Sequence, residues 1–216
     1  KKHELTEGGT IAAICIGIAV FVFGGWTWLA LLMMFFISSN FWSRFKADKK
    51  VEASSEFAKT GLRDYWQVSA NGLLPAIIAA AYFVQPETAL FAAFVGAVAT
   101  VTADTWATEV GVFDLKPRLV TNGKRVVPGT SGGVSLLGIG ATIAASVLIA
   151  LMAIAFNSIN NALESQAVVS EVIKLQFVGE LAFVGIIAFA GLVGSLADSL
   201  FGATIQAMYY CNKCGK

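Results

Sequence analysis

Apolar residues dominate six long stretches of the chain, and short polar stretches separate them. The six stretches are 10–23, 26–41, 72–84, 88 to about 109, 135–156 and 177 to about 210. A bilayer core of about 30 Å needs roughly 20 apolar residues in a helix, so each stretch predicts a membrane span, although the first two are short for one. Gly24-Gly25 and Gln85-Pro86-Glu87 predict tight turns between neighbouring spans. The pattern therefore predicts an all-α, polytopic membrane bundle of about six transmembrane helices.

The composition supports a membrane protein and gives little support to other classes. Hydrophobic residues make up 56% of the chain and charged residues only 13%, whereas soluble domains carry about a quarter charged residues. One transmembrane domain is expected over 1–216, with a truncated C-terminus, and no nucleic-acid partner is expected. Cys211 and Cys214 form a CxxC pair, which is half of a four-cysteine zinc site at most. Gly191, Gly194 and Gly202 are candidates for a break or bend in the long sixth stretch.

The basic residues are distributed very unevenly over the two sides of such a bundle. With six spans, all of the 15 lysines and arginines except Lys174 fall on the side that holds both termini and the loops 43–69 and 112–134. Positive charge marks the cytoplasmic side, so both termini are predicted to be cytoplasmic. The expected location is a multi-pass integral membrane protein, in the plasma membrane if the source is prokaryotic. The loop 157–176 on the opposite side is expected to be a connector or a short surface helix.

Carboxylates interrupt two of the apolar stretches near the predicted cytoplasmic side. Asp104 and Glu109 end the fourth stretch, and Thr105 and Thr108 lie beside them. Asp104 and Thr108 share one helix face, while Glu109 lies about 140° away around the axis. A membrane carboxylate is costly unless it meets water, a cation or a donor, so it indicates a functional site, the alternative being an acid at the headgroup level.

Three further polar patches are predicted on the same side. Asp198 lies within the sixth stretch, with Ser195 and Ser199 nearby. Another patch enters the third stretch, where Asp64, Gln67 and Asn71 form one polar stripe beside Arg63. The remaining patch is a glycine-rich turn that follows several basic residues and leads into the fifth stretch: Lys116, Arg118, Lys124, Arg125, Pro128, Gly129, Thr130, Ser131, Gly132 and Gly133.

The glycine-rich turn has the composition of an anion-binding loop at a helix N-terminus. Basic side chains would add point charges and bidentate donors for phosphate. The alternative is an interfacial turn whose cations rest on anionic lipid headgroups. Two acids from separate helices beside such a loop suit Mg²⁺, which takes one or two carboxylates together with phosphate oxygens and water. Together the patches predict phosphoryl chemistry on a lipid-like substrate, with the site on the cytoplasmic face.

Four motifs carry a resemblance to a known family. They are Gly61-Leu-Arg-Asp with Gln67 and Asn71-Gly72, Ala103-Asp-Thr-Trp-Ala-Thr-Glu109, Pro128-Gly-Thr-Ser-Gly-Gly133, and Gly194-Ser-Leu-Ala-Asp-Ser-Leu-Phe-Gly-Ala203. In this order they resemble the transmembrane protein nineteen family, formerly a domain of unknown function, over about 60–214. That family includes the phytyl-phosphate kinases of tocopherol synthesis.

The resemblance implies a Mg²⁺-dependent kinase that transfers a phosphoryl group from CTP or ATP to a prenyl or phytyl monophosphate. It implies that Asp104, Glu109 and Asp198 hold Mg²⁺, and that Lys124, Arg125, Thr130 and Ser131 contact phosphates. Asp104, Asp198 and Lys124 are the expected catalytic residues. Candidate phosphate or nucleotide contacts also include Arg63, Asn71, Lys116, Arg118, Gly129, Gly132, Gly133, Ser195 and Ser199, with Asp64, Gln67, Thr105 and Thr108 as supporting residues.

Two other functions use the same residues. A cytidylyltransferase would make a CDP-activated lipid and release pyrophosphate. A lipid or ion transporter would use Asp104 and Asp198 to carry a coupling ion, but its polar residues should reach the opposite face, and here the patches stay on one side. For the kinase, the prenyl tail is expected between the third, fourth and sixth spans, where Ala79–Ala81, Ala92–Ala93 and Gly96 leave room.

Overall fold

The computed structural model describes residues 5–46, 62–114, 116–163 and 179–205. In these ranges six helices follow one another: α1 (Glu7–Gly24), α2 (Trp26–Arg44), α3 (Tyr65–Val84), α4 (Thr88–Gly111), α5 (Leu136–Leu163) and α6 (Glu180–Thr204). Two short antiparallel strands, β1 (Arg118–Leu119) and β2 (Gly133–Val134), lie between α4 and α5. The predicted all-α membrane bundle is confirmed. Cys211, Cys214, most of the predicted outer loop and the end of the sixth stretch lie outside the described residues.

Five of the helices are long and apolar enough to cross a membrane, namely α1, α3, α4, α5 and α6. The remaining helix, α2, is 19 residues long and so has the length of a membrane span. It is less apolar than the others because it contains Ser38, Ser39, Asn40 and Ser43 near its end. These polar residues lower its hydropathy. They lie at the end of the bundle where the candidate site is found, so the composition of α2 reflects that site.

Helix α4 occupies the centre of the bundle and packs against α2, α3, α5 and α6. Its Phe94, Val95 and Val98 are completely buried. Trp28 of α2 covers them, with its ring 4.3 Å from that of Phe94 and 4.7 Å from that of Tyr82 in α3. Because lipid tails are as apolar as these side chains, close packing and ring contacts hold the helices together inside a membrane.

Small residues bring α4, α5 and α6 into close contact. A Cβ at Gly194 would overlap the side chain of Thr100 in α4, and one at Gly191 would overlap Ser146 in α5. No break is observed, because α6 is helical without interruption through Gly191, Gly194 and Gly202. The first two glycines instead permit close approach of neighbouring helices, which is their common role in membrane bundles.

Two helix boundaries differ from the sequence predictions. Helix α3 begins at Tyr65 rather than at residue 72, because the Asp64 carboxylate caps it by accepting a hydrogen bond from the Gln67 amide at 2.9 Å. Helix α5 continues to Leu163, so residues 157–163 are helical and not part of a connector. There Asn160 accepts a 2.7 Å hydrogen bond from the Trp26 indole, which satisfies polar groups at the end of the bundle opposite the candidate site.

Candidate functional site

The polar stretches meet at one end of the bundle. The chain before α1 pairs with the chain before α3, where the Thr6 amide donates to the Arg63 carbonyl at 3.1 Å. Ser43 at the end of α2 contacts Glu109 at the end of α4. The glycine-rich turn touches the end of α6 at Ala203. The structure thus brings together polar residues that are far apart in the sequence, while the cytoplasmic orientation of this end remains a prediction.

The side chains of Asp104 in α4 and Asp198 in α6 lie within hydrogen-bonding distance of each other. Asp104 is half-buried and Asp198 is exposed, so the pair lies at the edge of the bundle with access from outside. The contact is possible because Gly194, one turn before Asp198, lets α6 approach α4 at Thr100. Two carboxylates this close repel each other unless a proton or a cation lies between them.

Hydroxyl side chains lie within about one helical turn of each aspartate along α4 and α6. Thr105 and Thr108 each donate their hydroxyl proton to a backbone carbonyl one turn earlier, at 2.9 Å and 3.0 Å. Their oxygens therefore present lone pairs rather than protons to the surroundings. On α6, Ser195 is buried one turn before Asp198, and Ser199 follows it directly and is half-buried. The site offers mainly oxygen ligands, which hard cations such as Mg²⁺ prefer.

Glu109 lies in a separate cluster on another face of α4. Its carboxylate accepts a 2.6 Å hydrogen bond from Ser43, and the Arg63 guanidinium reaches the Ser43 hydroxyl at 3.4 Å and the Asn40 amide oxygen at 3.0 Å. Within 5–46, 62–114, 116–163 and 179–205, no group of three or more acidic, histidine or cysteine side chains is placed to share a metal ion. The three-carboxylate set implied by the resemblance is therefore not assembled, because five residues along a helix separate the two α4 acids by about 140°.

Sequence reasoning missed the contribution of α2 to this end of the bundle. Asn40 and Ser43 connect Arg63 and Glu109, and Ser38 accepts a 3.4 Å hydrogen bond from the Trp106 indole. In the sequence, the contribution of α2 was indicated by the run of polar residues at the end of the second apolar stretch. Polar side chains in a membrane helix usually face the bundle interior and bond to neighbouring helices.

The basic residues between α4 and α5 were predicted to lie on a loop, and they lie on a small hairpin. The Leu119 amide donates to the Lys124 carbonyl and the Gly123 amide to the Leu119 carbonyl, both at 2.8 Å. Arg118 donates from its guanidinium to the Gly123 carbonyl at 2.9 Å, which braces the turn. Asn122-Gly123 is a common hairpin signal. The hairpin leaves the side chains of Lys116, Arg118, Lys124 and Arg125 exposed.

The glycine-rich turn packs directly on α6. Gly132 has a φ of +76°, and a Cβ there would overlap the Cβ of Ala203 and lie 2.9 Å from its backbone nitrogen. Only glycine combines this conformation with this closeness. Since Ala203 follows Asp198 by five residues, the turn lies about 7.5 Å further along the helix axis than the aspartate. Five residues also correspond to about 140° around the helix axis, so the turn and the carboxylate pair lie at the same end of α6 but on different faces of it.

Some donors of the turn are already used within the protein. The Thr130 amide and hydroxyl both bond to the Val127 carbonyl, at 3.1 Å and 2.7 Å, and the Gly133 amide bonds to the Thr130 carbonyl at 3.0 Å. Ser135 caps α5 by accepting from the Gly138 amide at 3.0 Å. A phosphate at this turn would therefore meet fewer free backbone donors than the composition suggests, and would depend more on the basic side chains of the hairpin.

Three residues of the predicted phosphate-binding stripe line a different feature. Arg63, Gln67 and Asn71 border a cavity of about 410 Å³ between α1, α2 and α3. All three are half-buried. Asp64 is not part of this lining, since its carboxylate caps α3. Of the predicted stripe, Asp64 therefore caps α3, while Gln67 and Asn71 line the polar end of the cavity together with Arg63.

These features define a multi-pass helical membrane protein with a carboxylate pair and a glycine-rich turn at one end of its bundle. The chain belongs to the integral membrane protein DUF92 family, which matches residues 1–216. It is 31% identical to Protein PGR of Arabidopsis thaliana over 229 aligned residues, which cover 98% of this chain and 75% of that protein. No solved structure matches it.

A more distant relative comes from an archaeon. An uncharacterized membrane protein of Methanocaldococcus jannaschii is 28% identical over 207 aligned residues, covering 95% of this chain and 76% of that protein. The family resemblance drawn from the four motifs is therefore confirmed. It extends over the whole chain rather than over 60–214 alone.

Proposed function

We propose that this protein is a membrane-embedded, Mg²⁺-dependent kinase that transfers a phosphoryl group from CTP or ATP to a prenyl monophosphate, phytyl monophosphate being one example. The observation that carries the proposal is the contact between Asp104 and Asp198 at the edge of the bundle. Two acids from separate membrane helices are costly to keep in contact unless they hold a cation. The proposed location is the plasma membrane if the source is prokaryotic, with the site on the cytoplasmic face.

The residues present fit a magnesium site of the kind that nucleotides complete. Asp104 and Asp198 would be its protein ligands, and phosphate oxygens and water would fill the remaining positions, as is usual for Mg²⁺. The hydroxyl oxygens of Thr105, Thr108 and Ser199 lie in the same region and offer acceptors to bound water. Bound there, the ion would neutralise charge that develops on the transferring phosphoryl group.

The chemistry asks the protein for positioning and charge stabilisation. An oxygen of the acceptor monophosphate forms a bond to the terminal phosphorus of the nucleotide, and the bridging bond between that phosphorus and the nucleoside diphosphate breaks. The acceptor oxygen is already anionic, so no general base is required. Lys124 and Arg125 are exposed on the hairpin next to the glycine-rich turn, where they would pair with the phosphates of the nucleotide.

The other residues of the proposed phosphate contacts have supporting roles. Arg118 braces the hairpin through the Gly123 carbonyl, and Lys116 lies exposed at its base. In the turn, Gly129 and Gly132 have positive φ values that set its shape. Ser131 is half-buried between them and Ser195 is buried next to the aspartates. These residues would orient the triphosphate rather than react with it.

The decisive test is product analysis with purified protein in a lipid bilayer. The protein is incubated with Mg²⁺, with CTP or ATP labelled at the γ-phosphate, and with prenyl monophosphates of several chain lengths. We expect the label to move to a prenyl diphosphate and a nucleoside diphosphate to form, with no transfer when Mg²⁺ is chelated. A CDP-lipid together with pyrophosphate would identify a cytidylyltransferase instead. Absence of any nucleotide-dependent product would contradict both assignments.

A further inference from the structure

The cavity between α1, α2 and α3 is a half-open groove, because Ile14 and Ile18 in its lining are more than half exposed. Its form suits one apolar chain. Helices α1 and α3 pack tightly along one side of it, since a Cβ at Gly72 would lie 2.8 Å from Ile16. Between α1 and α2 the packing is looser, because the nearest atom to a Cβ at Gly17 would be the Leu29 Cδ1 at 3.8 Å. The remaining space measures about 410 Å³, within the usual range of small-molecule sites.

The cavity is polar at one end and apolar at the other. Arg63, Gln67 and Asn71 line it near the start of α3, at the end of the bundle that holds the aspartate pair. Ile18, Leu29 and Leu32 line it toward the middle of the bundle. On α1 the lining runs from Thr10 to Ile18, a length of about 12 Å along the helix. This shape suits a single chain with its headgroup at the polar end.

The polar end is rich in hydrogen-bond donors. The Arg63 guanidinium already donates to Asn40 and Ser43, but it keeps its positive charge, and the carboxamides of Gln67 and Asn71 carry two N–H groups each. Together these groups favour a ligand whose head is rich in oxygen and negatively charged. Arg63 also connects this end to α4, through Ser43 and Glu109. A monophosphate headgroup would therefore lie at the same end of the bundle as Asp104 and Asp198.

We propose that this cavity binds the apolar tail of the acceptor, a single-chain prenyl monophosphate, with the phosphate held by Arg63, Gln67 and Asn71. The inference rests on the proposed kinase function and places the acceptor between α1, α2 and α3, instead of between the third, fourth and sixth spans. At the latter position α4 and α6 pack closely, since a Cβ at Gly194 would overlap the side chain of Thr100. A two-chain phospholipid would leave one chain outside this cavity.

The test is photolabelling of the protein in phosphatidylcholine nanodiscs with a prenyl monophosphate that carries a diazirine at the far end of its chain. We expect the adduct on peptides of α1 and α2 around Ile18 and Leu29, and we expect it to persist in the Asp104→Asn and Asp198→Asn variants. An adduct confined to α4 or α6 would overturn the inference. So would loss of labelling on addition of excess phosphatidylglycerol, because the cavity would then hold a bilayer lipid.

A matched pair of glycine substitutions tests the cavity itself. Gly17→Leu would fill it, whereas Gly185→Leu adds the same side chain to α6 at a position with nothing within 4 Å. We expect labelling to fall about tenfold in the first variant and to stay unchanged in the second. Equal labelling in two variants that both melt like the native protein would overturn the inference.

A second pair of ligands tests the polar end. Arg63→Gln should weaken labelling by the prenyl monophosphate and leave labelling by the corresponding diazirine alcohol unchanged, because only the phosphate needs the guanidinium. Equal weakening of both ligands would overturn the headgroup assignment. Failure of the kinase proposal looks different: the native protein would be labelled at α1 and α2 but would form no prenyl diphosphate.

Discussion

Helix α4 carries two carboxylates five residues apart, and their surroundings differ in kind. Glu109 accepts a short hydrogen bond from Ser43, which the Arg63 guanidinium also reaches. Asp104 faces another acid, Asp198, across the contact between α4 and α6. One carboxylate is supplied with donors by the protein, whereas the other is left with a partner of the same charge. A buried or half-buried charge is stable only when paired, so the aspartate face requires a bound proton or a cation between the two acids.

The family resemblance implied that Glu109 and Asp104 serve the same metal site, whereas their surroundings indicate a structural role for Glu109 and a binding role for Asp104. Glu109 belongs to a set of contacts that joins α2, α3 and α4, and its interactions explain why it lies there. The contact between Asp104 and Asp198 has no such internal explanation. Unbalanced charge at an accessible position is characteristic of functional sites, because stability is given up there for binding or catalysis. The following predictions test this separation, beginning with the largest effect.

The largest effect is expected at the aspartate pair. Asp104→Asn and Asp198→Asn should each lower the rate of phosphoryl transfer about a thousandfold, because each removes half of the negative charge that would hold Mg²⁺. Their melting temperatures should stay the same or rise, since the repulsion between the acids is relieved. Steady-state kinetics and thermal melts measure the two effects. Glu87→Gln, at the opposite end of the bundle, is the control and should be fully active.

The glycine-rich turn should show the next largest effect. Gly132→Ala adds a Cβ that overlaps Ala203, so the turn must move away from the end of α6, and a displacement of about 1 Å can lower kcat about 100-fold. Gly123→Ala is the matched control, because Gly123 also has a positive φ but a Cβ there meets nothing within 4 Å. That variant should lose about 1 kcal/mol of stability from the backbone conformation and keep its kcat. Similar kinetics in both variants would remove the turn from the site.

A smaller effect is expected from the hairpin cations. Removing both side chains in the double variant Lys124→Ala/Arg125→Ala should raise the KM for the nucleotide about tenfold, since each charged hydrogen bond contributes about 1.5–3 kcal/mol and solvent screens exposed pairs. The control is Lys46→Ala, another exposed cation at this end of the bundle. An unchanged KM in the double variant would return these residues to contacts with lipid headgroups.

The smallest effect on activity is expected at Glu109, and it tests the comparison most directly. Glu109→Gln keeps the shape of the side chain but weakens its bond with Ser43, which should cost about 1 kcal/mol of stability. Activity should change by no more than about threefold, and the Mg²⁺ concentration for half-maximal activity should stay the same. Ser43→Ala should behave alike. A large rise in the Mg²⁺ requirement would show that Glu109 is a ligand, as the family resemblance implies.

Periodicity was a good guide to the helices of this protein and a poor guide to their exact ends. The apolar stretches identified all six helices of the described residues, because burial in lipid leaves a strong compositional signal. Helix α3 began earlier than predicted because one side chain, Asp64, supplies a cap, and a cap is a local hydrogen bond that hydropathy does not register. The hairpin was missed although Asn122-Gly123 signals one, since a single bridge between Arg118 and Arg125 forms its ladder.

The candidate site was predictable in its residue types and less so in its grouping. Asp104 and Asp198 stood out because carboxylates are rare in apolar helices, and the structure places their side chains in contact. The separation of Glu109 from them follows from the helical period, which the sequence also contains. The part played by Asn40 and Ser43 could not be deduced, because a polar residue in a membrane helix finds its partner only when the neighbouring helix is known.

The sequence by itself determined the membrane class, the number of helices in the described residues and the family, because each depends on composition, period or motif along one chain. Only the tertiary structure decided which acid meets which partner, that Gly132 rests on Ala203, and that a cavity opens between α1, α2 and α3. The physical reason is that contacts between helices depend on which faces approach and how closely. Small residues far apart in the chain, such as Gly72 and Gly194, set that approach.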